Sequence, residues 1–262
     1  DTAYSYGDGE SERRIGLALR QHGGLTHGYV IASKADRHGQ TGDFSGKQIR
    51  YSVERSLRLL GLDNIPIMYL HDPEHSTFEE IMSKGGPVDV LHQCKSEGLI
   101  GHVGLAGGPA ILMQRYVETG AFTALITHNR YTLLNRSAND LIQAAHERGM
   151  GIANAAPYGS GMLAKGPAAY ARYAYQAAPP LMLERAYQLQ HLCQEHGVSL
   201  AAAALQFSMR DPRIHSTILG VSKPERIQQT LDLAAEHIPQ ELWARLDAVG
   251  YDMSDPEAER WG

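Results

Sequence analysis

The sequence predicts an α/β protein of the (β/α)8 barrel class, and three observations carry the prediction. Short apolar, β-branched runs alternate with amphipathic helical segments almost to the end of the chain, the pattern of a parallel sheet built from strand–helix units. Chemically useful residues and small residues collect where successive strands finish: Asp1, Lys34, His71, Ala106 to Gly108, His128 with Asn129, Asn154, and Gly220 to Ser222. In a barrel all such ends open on one mouth, where catalytic groups sit. Finally, no Gly-x-Gly-x-x-Gly turn follows the first strand, so the open dinucleotide-binding sheet, which shares the alternation, lacks its phosphate turn.

The elements follow in order. Residues 29–34, Tyr-Val-Ile-Ala-Ser-Lys, form the first complete strand. A helix over 47–60 comes next: Ile49, Val53, Leu57 and Leu60 recur at helical spacing, while Arg50, Glu54 and Arg58 fall outside that stripe. Strands are expected at 67–71, 102–105, 124–128 and 151–155, separated by helices at 88–97, 110–118 and 138–148. Residues 157–180, rich in Gly, Pro, Ala and Tyr, read as a long loop. A helix over 181–196 stops at Gly197, and another covers 200–209. Strand 216–219 leads into helix 224–235, which opens on Pro224 in its first turn, and 240–248 is the last helix. Asp1, Thr2 and Ala3 read as the end of one further strand. Residues 1–262 together read as a single barrel domain.

Composition narrows the function classes. The chain has 262 residues, 43% of them hydrophobic, enough for a sizeable core, and no stretch resembles a linker. Its formal net charge of -5 argues against a phosphate-tracking basic surface, so no nucleic-acid partner is expected. No run of about 18 apolar residues is present, so no membrane span is expected. The first residues lack the basic and apolar regions of a secretory signal, which leads to an expectation of a cytoplasmic protein. The two cysteines, Cys94 and Cys193, are far apart and lack metal-ligand spacing, so they read as reduced thiols, with no metal site.

Four residues suggest a definite device when taken together. A phenol is a poor acid near neutrality, with an ordinary pKa of roughly 10. An ammonium nearby favours its phenolate form, and a carboxylate paired with the ammonium holds that cation in place. Tyr6, Lys34 and Asp1 supply these groups. A neutral imidazole from His71 can orient the substrate oxygen. Such a set interconverts a carbinol and a carbonyl by moving a proton.

At this point the sequence resembles a known family. Asp-Thr-Ala-Tyr-Ser-Tyr-Gly at 1–7, Lys34 closing Val-Ile-Ala-Ser-Lys, and His71 in Tyr-Leu-His-Asp-Pro are similar to aldo-keto reductase motifs. The similarity continues through Val-Gly-Leu at 103–105 to Gly-Val-Ser-Lys-Pro-Glu-Arg-Ile at 220–227. The resemblance implies an aldo-keto reductase barrel and an NAD- or NADP-dependent oxidoreductase. It makes Tyr6 the general acid/base, Lys34 its modulator, Asp1 the lysine's partner and His71 the substrate-orienting residue. Family members carry a capping hairpin and the first strand–helix unit, about 45–50 residues, ahead of the aspartate that Asp1 matches. The barrel is therefore expected to lack its first unit.

On the cofactor side, the resemblance places the adenosine phosphate at Leu219, Gly220, Val221, Ser222 and Arg226, with Gln229 where a glutamate often contacts adenine. NADP-preferring members commonly carry Lys and Ser where this chain has Gly220 and Val221, so NAD is the expected cofactor over NADP. Toward the nicotinamide, the family's Ser-Asn pair corresponds to Ala106 and Gly107 and its glutamine to His128. Its stacking aromatic corresponds to Ala155, with Tyr158 three residues further on to supply a ring. The stretches 69–75, 127–133 and 154–161 are most similar to the family's sugar dehydrogenases, which oxidise the anomeric carbon of an aldose such as L-fucose, L-galactose or D-arabinose to a lactone. His75, Asn129 and Tyr131 are the expected substrate contacts, with Arg130 and Asn154 on the same hydrogen-bonding rim. The alternatives are a pyridoxal or general aldehyde oxidoreductase of the same family, or a barrel subunit without catalysis.

Overall fold

The computed structural model describes residues 1–258. The chain packs as two compact units, residues 1–126 with 148–150 and residues 127–147 with 151–262.

The first unit is built on parallel strands β1 (Ala32–Ala35), β2 (Ile65–His71) and β3 (Ile100–Ala106), joined by the opening residues of β4 (Ala124–His128). Their register advances residue for residue: Lys34 lies opposite Tyr69, Tyr69 opposite Gly104, and Gly104 opposite Ala124. Gly104 is required there, because a Cβ would stand 2.3 Å from the Tyr69 ring. Helix α1 (Glu10–Gln21) precedes β1, and α2 (Gly46–Leu60) connects β1 to β2. The Ser45 hydroxyl caps α2 by accepting the Gln48 N–H, and Gly61, at φ 68, ends it in the left-handed conformation. Ile49, Val53, Leu57 and Leu60 form its buried stripe, as the sequence predicts. Short α3 (Phe78–Met82) and α4 (Pro87–Ser96) lead to β3, and α5 (Ala110–Glu118) leads to β4.

Two expectations at the start of the chain are corrected. Residues 1–3 are not a strand: Thr2 N–H donates to Ala32 O at 2.9 Å, and one such bond does not make a ladder. Residues 29–31 are not strand either, since the ladder with β2 begins at Ala32, and Tyr29 and Val30 are largely exposed. Helix α1 was not expected from the sequence, although Ile15, Ala18 and Leu19 recur in it at helical spacing. Its buried residues are Glu12 and Gly16, and Gly16 meets the backbone of Leu59 so closely that a Cβ would lie 2.2 Å from that carbonyl oxygen.

In the second unit, β5 (Gly151–Ala155) pairs in parallel with β8 (Ser216–Ile218). Helix α6 (Asn139–Glu147) precedes β5, and α8 (Pro180–Glu195) and α9 (Leu200–Met209) precede β8. The expected loop over 157–180 has structure of its own: helix α7 (Met162–Lys165) and a hairpin of β6 (Arg172–Tyr173) and β7 (Gln176–Ala177). Tyr173 anchors it, buried and donating its hydroxyl to Asn129 O at 2.6 Å, with Gly159 leaving room for the ring. Helices α10 (Glu225–Ala235) and α11 (Gln240–Ala248) follow β8.

Cys94 and Cys193 are free and buried, as expected. No helix among the described residues is long and apolar enough to cross a membrane. No cluster of three or more potential metal ligands occurs among them.

Candidate active site

Lys34 is the hub of the first unit's polar cluster. It sits in β1, 3% exposed, its Cβ on the same face as Tyr69 and Gly104 in the neighbouring strands. Its Nζ donates to both Asp1 carboxylate oxygens, at 2.8 and 2.9 Å, to Thr2 O at 3.0 Å and to Tyr6 OH at 3.1 Å. The Nζ also lies 4.7 Å from the Tyr6 ring centroid. Burial pushes the Lys34 ammonium below its ordinary pKa, and attraction from Tyr6, Asp36 and Asp72 opposes that shift. The Asp1 side chain is 11% exposed, whereas Tyr6 is 46% exposed. Three of the four expected residues thus share hydrogen bonds around one cation, and the phenol is the member that solutes can reach.

His71 ends β2, its side chain 17% exposed. Its Nδ1 is 2.5 Å from Asp36 Oδ1, and its Nε2 is 3.6 Å from Asp72 Oδ1, beyond hydrogen-bonding reach. Asp36 was not a sequence candidate, although its spacing two residues beyond Lys34 would have put both on one face of an extended segment. Glu74 was also missed: its Oε1 accepts the Gly108 N–H at 2.6 Å, tying the end of β2 to the turn after β3. His75 is exposed, with Nε2 at 3.2 Å from Arg37 Nη2. It lines a cleft of about 770 Å³ together with Asp43, Ser45, Glu74, Ser76 and Lys84. None of Asp1, Tyr6, Lys34 or His71 lines that cleft.

In the second unit the expected rim of hydrogen-bonding residues is replaced by an interior scaffold. Asn129 is fully buried in a left-handed conformation (φ 56), accepting from Ser160 Oγ at 3.3 Å. Tyr131 is buried against Phe207, and its hydroxyl donates to Asp211 at 2.5 Å and accepts from Arg213 at 3.1 Å. Burial, reinforced by Asp211, pushes that phenol up to about 12. Asn154 is buried too, donating to Tyr131 O and Ser208 Oγ. Arg130 is fully buried, held by Asp255 at 2.8 Å and Glu257 at 3.0 Å. Tyr131 and Arg130 thus hold partners within this unit, whereas Asn154 Oδ1 and Asn129 Nδ2 are buried without a hydrogen-bond partner.

The expected nucleotide contacts are of another kind. Leu219 is half-buried, while Gly220, Val221, Ser222, Arg226 and Gln229 are exposed. Pro224 starts α10 without a side-chain cap, and no residue of α10 is buried. The Arg226 and Ile227 amides bond back to Lys223 O and Pro224 O, while the Arg226 side chain makes no ion pair among the described residues. Ala155 and Tyr158 are half-buried at the end of β5. His128 is 27% exposed, and its Nε2 lies 3.3 Å from Glu257 Oε2. Asp255 and Glu257 were invisible to sequence reasoning, because each acts on residues more than a hundred positions away.

Comparison with known proteins places this geometry. The profile of the Aldo/keto reductase family matches residues 1–250. The chain is 30% identical to a D-threo-aldose 1-dehydrogenase of Pseudomonas sp over 94% of this chain and 82% of that protein. It is 26% identical to the L-galactose dehydrogenase of Arabidopsis thaliana over 95% of this chain and 78% of that protein, and 29% identical to the pyridoxal 4-dehydrogenase of Microbacterium luteolum over 79% and 63%. The solved holo form of an aldo-keto reductase from Bacillus halodurans has the same fold, with a TM-score of 0.79 at 21% identity, covering 99% of this chain and 84% of that one. The fold is thus of the (β/α)8 barrel type, and the chain belongs to the aldo/keto reductase family of NAD(P)-dependent oxidoreductases.

Proposed function

We propose that the chain oxidises the anomeric carbon of an aldose to the lactone, with NAD as the preferred cofactor. The observation that carries the reading is the contact between Lys34 Nζ and the hydroxyl of the accessible Tyr6. When bound, the nicotinamide accepts the hydride leaving the carbon. The protein's task is to take the hydroxyl proton as that happens. Tyr6 is the base, and its phenolate oxygen is stabilised by the ammonium at 3.1 Å. Asp1, holding two of the lysine's hydrogen bonds, keeps the cation from turning away from the phenol. His71 orients the substrate, and His75, exposed beside a polar cleft, is a candidate for a further hydroxyl together with Asn129 and Tyr131.

Leu219, Gly220, Val221, Ser222, Arg226 and Gln229 would hold the adenosine phosphate end of the cofactor, and His128, Ala155 and Tyr158 the nicotinamide end. Gly220 brings no cation to a 2′-phosphate, which supports NAD over NADP, while Arg226 leaves one partner for it. The sugar is supported by the two sugar-dehydrogenase relatives and by the many polar groups around His75. The pyridoxal 4-dehydrogenase relative supports a second reading, oxidation of an aromatic alcohol or aldehyde.

Incubation with NAD and L-fucose, L-galactose or D-arabinose, followed by the absorbance of reduced nicotinamide and by lactone analysis, tests the proposal. Turnover with at least one aldose is expected. Turnover with pyridoxal and none with any aldose selects the second reading. Cofactor binding without turnover on either class makes the chain a non-catalytic barrel.

A further inference from the structure

We propose that Asp36 is the positioning residue of His71, fixing the proton on Nδ1 so that Nε2 is offered to the substrate as a hydrogen-bond acceptor. The proposal rests on the reading of His71 as the substrate-orienting residue, and begins with register. Strands β1 and β2 advance in step from Ala32 opposite Ile67 to Ala35 opposite Leu70. One step further brings Asp36 level with His71, on the face that also carries Lys34. The backbone of Asp36 is clamped from α2 at both polar groups: its N–H donates to Ser52 Oγ at 3.0 Å, and its carbonyl accepts from Gln48 Nε2 at 3.1 Å. Ser52 and Gln48 are both buried, so the helix interior sets where the carboxylate stands.

That carboxylate is poorly provided for by anything except His71. Its side chain is 13% exposed, Oδ1 meets His71 Nδ1 at 2.5 Å, and the buried Oδ2 has no hydrogen-bond partner. A carboxylate removed from water normally gathers several donors, because an unsatisfied one is costly. An arrangement that spends burial on a single donor contributes little to folding and much to the orientation of that donor's ring. Since an ionised carboxylate can only accept, Nδ1–H must donate, and a neutral imidazole then has its lone pair on Nε2. A ring fixed this way accepts a hydrogen bond from a substrate hydroxyl, such as the one beside the reacting carbon of a sugar. A simple aldehyde has no such hydroxyl to give.

The test compares Asp36→Leu, which removes the acceptor, and Asp36→Asn, which keeps an acceptor oxygen but not the charge, with the parent protein. Imidazole nitrogen NMR reports the His71 tautomer without reference to activity. The parent should show the proton on Nδ1, and Asp36→Leu should lose that preference. Turnover over KM for the aldose should fall on the order of 10- to 100-fold in Asp36→Leu and less in Asp36→Asn, with cofactor affinity unchanged. Adding Asp36→Leu to His71→Gln should cost nothing more. An unaltered tautomer in Asp36→Leu, or undiminished turnover over KM in both variants, overturns the proposal; if Asp36→Leu does not fold, the same two readings on Asp36→Ala, which also removes the acceptor, decide it. Failure of the underlying reading looks different: His71→Gln itself would then leave turnover intact while the NMR tautomer still depended on Asp36.

Discussion

The strand ends of the first unit and the turn after β8 in the second are built on opposite plans. Around Lys34 every donor is engaged and the cation is almost wholly buried, so its field is spent on Tyr6 and Asp1 with little screening by water. Around Gly220 far less is engaged: the loop and the start of α10 are exposed and the helix has no side-chain cap, although its Arg226 and Ile227 amides bond back to Lys223 O and Pro224 O. The difference matches the tasks proposed for each. A group that moves a proton needs fixed charges in a dry setting. A loop that grips a phosphate needs unsatisfied amides in an open one.

The largest effect is expected at the engaged cluster. Tyr6→Phe removes the one atom that takes the proton and leaves the Lys34–Asp1 pair in place, so turnover should drop about 10²- to 10⁴-fold. Cofactor affinity, measured by fluorescence titration, should be unchanged. A variant retaining a tenth of the parent's turnover would break the comparison at its strongest point.

At the open loop the expected effect is smaller and falls on binding. Gly220→Lys adds a cation where a 2′-phosphate is expected, and a charge-assisted bond is worth about 1.5–3 kcal/mol, or one to two decades of affinity. NADP should therefore gain on NAD by roughly 10- to 100-fold. Gly220 has open space around its Cβ position, so the fold should not object. An unmoved ratio of the two dissociation constants would show that the loop does not receive the adenosine phosphate.

The smallest effect sharpens the comparison by supplying a control. Tyr131, Asp211 and Arg213 form a cluster as fully bonded as that of Lys34. Burial pushes the Asp211 carboxyl up, but hydrogen bonds from Arg213 and Tyr131 overcome it and hold the group at about 2. A carboxyl depressed on folding stabilises the protein above its ordinary pKa near 3.8, and that stabilisation drains away as pH falls toward about 2. Asp211→Asn should therefore lower stability at neutral pH by no more than about 2 kcal/mol and flatten the loss between those two pH values. Thermal melts across that range measure it, and turnover near neutral pH should stay close to the parent's. A steep acid limb surviving in the variant would assign the loss to other carboxyls.

The sequence by itself determined what is written locally or in strict order. Strand–helix alternation marked most of the strands and the larger helices, because apolar period and caps are short-range signals, as the stripe and the Ser45 and Gly61 boundaries of α2 illustrate. Asp1, Tyr6, Lys34 and His71 stood out together as the parts of a proton-transfer set and by their resemblance to family motifs, and Asp1 and Tyr6 do both meet the Lys34 ammonium. Tertiary structure alone decided the rest. Helix α1 went unread; its fully covered residues are Glu12 and Gly16, and its fit depends on Leu59 of another helix. Tyr131, Asn154 and Arg130 read as polar groups at strand ends, and only the fold shows that they are buried and bonded to the distant Asp211, Ser208, Asp255 and Glu257. Asp36 was passed over for the converse reason. Its importance lies in a parallel register that aligns it with His71, and register is set by two strands together, which neither strand's own residues record.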